Sequence, residues 1–353
     1  MIDIQSVFVY VGLPILLCML AKYGEKTNSK KTVWLMVILV SLIAGLRAIS
    51  VGIDTKTYDT IFKYAANGNV KSIYGVETSF IYICMGLLNV WNSSHFLLFV
   101  FALVSHGLIL FRIWKDREYI SFAWSVFAYY ILFFAFSLNG LRQFVAVAFV
   151  FYATGFLKDG KYIKYIIMVL AACLFHTSAI VGLGYLLFEI IFTKYFNSNR
   201  KMIAFLLVSA AGVFGLYIVS DLINAYSNYF NRQAASTGLM MIVKVILLMM
   251  AIVLIKPGTD TSERYFCSSH RWFYFVGLLF NSLSYVFMYA GRIGLYYYIF
   301  ESIYVGYLLK ARSKTIWGVF LKLGYVLLLF YTFAITVTSG AQGEIPYRFF
   351  WQN

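Results

Sequence analysis

Apolar runs close to the length of a bilayer crossing recur from one end of this 353-residue chain to the other. No polar block between them is long enough for a separate soluble domain. Charged residues make up only 12% of the chain, against about 25% in soluble domains. The expectation is a single integral membrane domain over residues 1–353, an all-α polytopic helix bundle with short loops. The first run, Ile4 to Ala21, has no basic stretch before it and no small-residue cleavage pattern after it. It therefore reads as a retained span rather than a signal peptide.

Charge orients the bundle. Lys and Arg number 29 against 14 acids, a net charge of +15. They cluster at Lys22/Lys26/Lys30/Lys31, Arg112/Lys115/Arg117, Lys158/Lys161/Lys164, Lys194/Arg200/Lys201, Lys256/Arg264/Arg271 and Lys310/Arg312/Lys314. The positive-inside rule places these loops in the cytoplasm and both termini outside. That assignment makes two demands. Glu77 to Trp91 must be a re-entrant or interfacial helix, followed by a true span from His95 to Trp114. Ile163 to Phe192 must fold as two short helices that turn near His176. About 12 spans result.

On the opposite, outward side collect Arg47, Arg142, Arg232, Arg292 and Arg348, mostly at helix ends. Topology does not require them there. A guanidinium fork suits phosphate and carboxylate; the plainer reading is snorkelling from a helix end. Arg142 opens a span in Asn139-Gly140-Leu141-Arg142-Gln143, where the helix macrodipole is already positive, so an anion is expected beside it.

Several other side chains could carry chemistry. Asp54, in the turn after Gly52, suits the N-cap of an amphipathic helix starting at Thr55 and also a general base, and the two roles are compatible. Tyr58 and Phe62 share a face of that helix, and Gln143 suits a sugar hydroxyl. His176 is a base, an acid or a phosphate donor, or else a hydrogen-bonded packing residue. Glu301 and Lys322, at similar depth in neighbouring spans, are expected to pair. The segment from Asp221 to Gln233, with Asn224, Tyr226, Asn228, Tyr229 and Asn231, suits sugar rings or is a solvated loop. The four cysteines form no C-x-x-C, and no two histidines share metal-ligand spacing, so no metal site is expected.

These blocks, in this order, resemble the EpsG-type family of Wzy-like polysaccharide polymerases. The resembling positions are Gly45-x-Arg47, Gly52-x-Asp54-Thr55 with Tyr58 and Phe62, Arg142-Gln143, and Phe175-His176-x-Ser178-Ala179. Arg292 before a Tyr-rich span and Ile345-Pro346-Tyr347-Arg348-Phe349 complete the set. The resemblance implies a multi-pass protein of the bacterial cytoplasmic (inner) membrane with its active face periplasmic. It implies a glycosyltransferase that joins oligosaccharide repeat units carried on undecaprenyl pyrophosphate, with no metal, nucleotide sugar or other cofactor. Expected partners are those lipid-linked oligosaccharides and the lipid bilayer, with a chain-length regulator protein as a further candidate and no nucleic acid. In this reading Arg142, Arg232 and Arg292 hold pyrophosphate, and Arg47 and Arg348 support donor or acceptor. Asp54 or His176 deprotonates the acceptor hydroxyl, while Tyr58 and Gln143 hold sugar. An O-antigen ligase shares the donor and is the nearest rival. A lipid-linked glycan flippase or transporter would call for paired discontinuous repeats. A membrane acyltransferase, with His270 near Glu263, is the remaining alternative.

Overall fold

Helices account for most of the described residues. The computed structural model describes residues 3–71, 73–195, 236–255, 260–284, 290–313, 315–340 and 342–352. Five of its helices have the length and apolarity to cross a membrane: Ile4–Thr27, Ser94–Lys115, Phe122–Asn139, Leu141–Lys158 and Ile316–Ser339. The chain is a multi-pass membrane protein. The expectation of about 12 spans is met only as a multi-helical apolar bundle, because several apolar runs fold as shorter helices. These include Thr78–Leu88, Tyr162–Cys173 and Val243–Leu254. The only β-type pairing among the described residues is a single bridge between Arg47 and Phe349.

Phe122–Asn139 and Leu141–Lys158 are the centre of the bundle, and their apolar faces are mostly buried within the protein. The chain reverses between them at Gly140. A Cβ there would lie 2.5 Å from the Phe136 ring, so a larger residue would have to displace that ring. The reversal returns Lys158 to within 3.5 Å of the Tyr119 hydroxyl. Arg117 donates to the Asn28 side chain, and Lys310 donates to the carbonyls of Arg117 and Glu118. The basic loops around residues 28, 117, 158 and 310 thus gather at one end of the bundle. The other end carries Arg47, Asn139, Arg142, His176 and the closing segment after Ser339.

The two breaks that the charge pattern demanded differ in what the structure says of them. A helix does end at Cys173, and a 3₁₀ segment, Thr177–Gly182, follows a turn at 174–176 before Leu183–Tyr195. Thr78–Leu88 is a short helix of 11 residues, packed through Phe80, Ile81, Cys84 and Leu88.

Glu301 and Lys322 do not pair. The run expected to be one span breaks at Ile299–Phe300, which puts Glu301 in the first turn of Glu301–Lys310. Its carboxylate meets Lys244 Nζ at 2.8 Å and accepts from the Tyr274 hydroxyl at 3.1 Å. An acid in a first helical turn is also favoured by the macrodipole. Lys322, near the start of its own helix, instead donates to the carbonyls of Leu309 and Ala311. The Lys–Glu pair is fully buried, and its oxygens are used by Lys244 and Tyr274.

Candidate active site

The end of the bundle away from the basic loops is built on a turn. Gly52 has φ +90°, a region closed to most side chains, and a Cβ there would lie 3.0 Å from Asn139 Oδ1. The turn docks on both sides. Gly52 N–H donates to the Gly343 carbonyl at 2.8 Å, and Asp54 N–H donates to Asn139 Oδ1 at 3.2 Å. Asn139 Nδ2 in turn donates to the Gln342 carbonyl at 2.8 Å. One asparagine therefore ties the turn, the central reversal and the closing segment together.

Arg47 is part of this frame. It is fully buried, and its guanidinium donates to the Ala44 carbonyl, to the Leu138 carbonyl at 2.8 Å and to Thr55 Oγ1 at 3.3 Å. These carbonyls lie at helix ends, where backbone acceptors lack intrahelical partners. Asp54 begins Thr55–Ala66 without a side-chain cap bond, and its carboxylate is exposed. Tyr58 and Gln143 also act as joints. The Tyr58 hydroxyl accepts from the Arg142 N–H at 3.5 Å, and Gln143 Nε2 donates to the Arg292 carbonyl at 2.6 Å. Together they hold the amphipathic helix and Ala290–Tyr298 against the start of Leu141–Lys158.

Around Arg142 the chain supplies the anion that the macrodipole argument asks for. Arg142 Nη1 is paired with Glu77 Oε2. Glu77 is the N-cap position of Thr78–Leu88. Its other oxygen accepts from His176 Nδ1 at 3.0 Å and from the Thr177 N–H at 2.9 Å. Two distant segments thus converge on the carboxylate of a third. The side chains keep limited access to solvent, 14% for Arg142, 12% for Glu77 and 18% for His176.

His176 sits in the turn between two short helices. Burial, then the guanidinium charges of Arg142 and Arg292, push its imidazole down to about 4. At neutral pH the ring is therefore uncharged. With Nδ1 on a carboxylate, the proton must sit on Nδ1, which leaves a lone pair on Nε2. Among the described residues Nε2 has no hydrogen-bond partner. A neutral imidazole, oriented through one nitrogen and open at the other, is the geometry of a general base.

Arg292 is exposed and is among the residues that line a cavity of about 380 Å³. Arg348 is also exposed; its backbone carbonyl accepts from Ala48 N–H at 2.8 Å, and its charge lies beside Asp3. Arg232 and the Asp221 to Gln233 segment lie outside the described residues. The structure thus brings Arg142, His176 and the charge of Arg292 together, with Tyr58 and Gln143 as their mounts. Sequence reasoning passed over Glu77. The usable signal was an acid at the very start of an apolar run, in a chain that has few acids. Among the described residues no three His, Cys, Asp or Glu side chains converge as metal ligands would.

The family model described as the EpsG family matches residues 30–349. No curated protein and no solved structure matches this chain.

Proposed function

The chain belongs to the EpsG family, and from that premise we propose that it is a polysaccharide polymerase. It joins oligosaccharide repeat units carried on undecaprenyl pyrophosphate, by glycosyl transfer at the outer face of the bacterial inner membrane. The gathering of the basic loops at the opposite end supports this orientation.

The observation that carries the reading is His176, held neutral on Glu77 beside two guanidinium groups. Its Nε2 takes the proton of the acceptor hydroxyl as that oxygen attacks the anomeric carbon of the donor. The bond from anomeric carbon to phosphate oxygen breaks, and the lipid diphosphate leaves with the electron pair. Arg292 and Arg142 stabilise the charge that develops on it, with Arg232 and Arg348 as further cations from the sequence reading. The proton held by His176 then passes to solvent or to the released diphosphate. Asp54, exposed at a helix start, is the secondary base candidate. Arg47, spent on backbone carbonyls, positions the turn rather than touching substrate.

Glycan profiling of a strain lacking this chain tests the proposal. The expected pattern is single repeat units without long chains, restored by the wild-type chain. Long chains retained on the lipid carrier would identify a ligase instead, and accumulation on the inner leaflet would identify a flippase.

A further inference from the structure

The buried Lys244–Glu301 pair has no part in the proposed chemistry, yet it joins many elements. Lys244 Nζ donates to Glu301 Oε2 at 2.9 Å and lies 2.8 Å from Oε1. The Tyr274 hydroxyl donates to Oε1 at 3.1 Å and accepts from the Tyr325 hydroxyl at 3.3 Å. Lys244 also donates to the Tyr298 hydroxyl. Ser236–Leu254, Thr261–Leu283, Ala290–Tyr298, Glu301–Lys310 and Ile316–Ser339 therefore meet at one ion pair. Stability alone is a poor reason to keep it. Apolar side chains of similar volume usually hold a buried site as well as an ion pair does. Ionisable groups in apolar bundles are kept mainly where function or a fixed register needs them.

What the pair grips is the break at Ile299–Phe300. Tyr298 is the last residue of the helix before it, and Glu301 is the first residue of the helix after it. Lys244 holds both. The helix before the break is nine residues long and carries Arg292, about 9 Å along its axis from Tyr298. At its other end Gln143 Nε2 donates to the Arg292 carbonyl at 2.6 Å. Its neighbour gives little to interlock with at the break. A Cβ on Gly277 would lie 2.5 Å from the Tyr298 nitrogen, so backbone meets backbone there. Apolar contact sets how close two helices come, whereas a directional bond sets how one is rotated. Arg292 and Tyr298 both line the cavity of about 380 Å³, and the charge of Arg292 is felt at His176. Any rotation of this helix would move that guanidinium.

We propose that Lys244 and Glu301 are positioning residues for the glycosyl transfer: clamped across the break, they fix the register of Ala290–Tyr298 and so the place of the Arg292 guanidinium relative to His176. The assignment rests on the polymerase reading and adds to it two residues that touch neither substrate nor base.

The test uses the purified full chain in lipid nanodiscs, with the lipid-linked single repeat unit as substrate. The pair is removed together, as Lys244→Met with Glu301→Gln, because loss of one partner alone leaves a buried charge unmatched and would report on folding. This double variant should keep the thermal transition and the KM of the wild type. Its kcat should fall at least about tenfold, since Arg292 acts on charge that develops in the transition state and small misplacements are costly there. In an Arg292→Ala background the same double change should lower kcat less than about twofold, because no guanidinium is left to position. Tyr298→Phe removes only the hydroxyl that Lys244 holds; it should show the same dependence on Arg292 and serves if the double variant does not fold. An unchanged kcat, a loss carried by KM alone, or losses that multiply in the Arg292→Ala background overturns the positioning role. A wild-type chain that joins no repeat units would instead remove the polymerase reading, and this role with it.

Discussion

An arginine, a carboxylate and a histidine meet at each end of this bundle, and the two clusters behave differently. At one end Arg142 and His176 share Glu77; at the other Arg112 pairs with Asp116 at 2.6 Å, with His270 Nε2 3.8 Å from the same carboxylate. The Asp116 cluster is closed. Its side chains are 4%, 6% and 8% exposed, and the void beside it, about 20 Å³, holds no more than a water. His270 uses Nδ1 on the Phe266 carbonyl one turn back in its own helix, so the ring is a packing element. Among the described residues the Glu77 cluster keeps an imidazole nitrogen without a hydrogen-bond partner, and it feels the charge of Arg292, which lines the large cavity. Closely similar residue types thus form a closed packing cluster at one end and, in the proposed function, the chemical centre at the other. Access and the number of segments that converge make the difference, not composition.

The comparison breaks most sharply at the two arginines. Arg142→Ala should lower the initial polymerisation rate per folded molecule by about 10²–10³-fold, as loss of a donor to developing charge does elsewhere. Arg112→Ala should leave that rate within a few-fold but destabilise the protein. Breaking one side of a buried pair costs about 3–5 kcal/mol, read as a fall in the thermal transition in detergent. If the two variants exchanged these behaviours, the assignment of roles would be reversed.

Acidity sharpens it further. His176 is pushed down to about 4, so it stays uncharged from pH 7 to 5. The rate should be level over that window and fall as pH drops through about 4, where Nε2 takes up a proton. The sign for stability agrees. Between about 6.5 and 4 the unfolded chain binds a proton that the folded chain does not, so this site's contribution weakens as pH falls. An acid limb near 6.5 would point to a solvated histidine and dissolve the distinction between the clusters. The smallest effect belongs to Tyr58→Phe. It removes one long hydrogen bond to the Arg142 N–H and should change the rate by less than about tenfold.

Much of this architecture is legible in the residue order. The break near His176 followed from charge alone, since one continuous span would have sent the later basic loops to the wrong side. The awkward position of Arg142 at a helix start signalled a nearby anion. The identity of that anion was hidden because Glu77 lies 65 residues from Arg142 and 99 from His176. Lys322 was the wrong partner for Glu301 because depth was judged on an unbroken helix. The break at Ile299–Phe300 turns Glu301 towards Lys244, 57 residues earlier. Arg47 matched a family position, but nothing in its neighbours announced that its guanidinium would be consumed by backbone carbonyls.

The most direct test of the central claim is a polymer ladder made by purified chain from lipid-linked repeat units at neutral pH, wild type beside His176→Ala. The expected result is a ladder from the wild type and at least about a 10²-fold slower appearance of dimer from the variant, with both proteins monodisperse. A ladder of equal length and rate from His176→Ala would contradict the account.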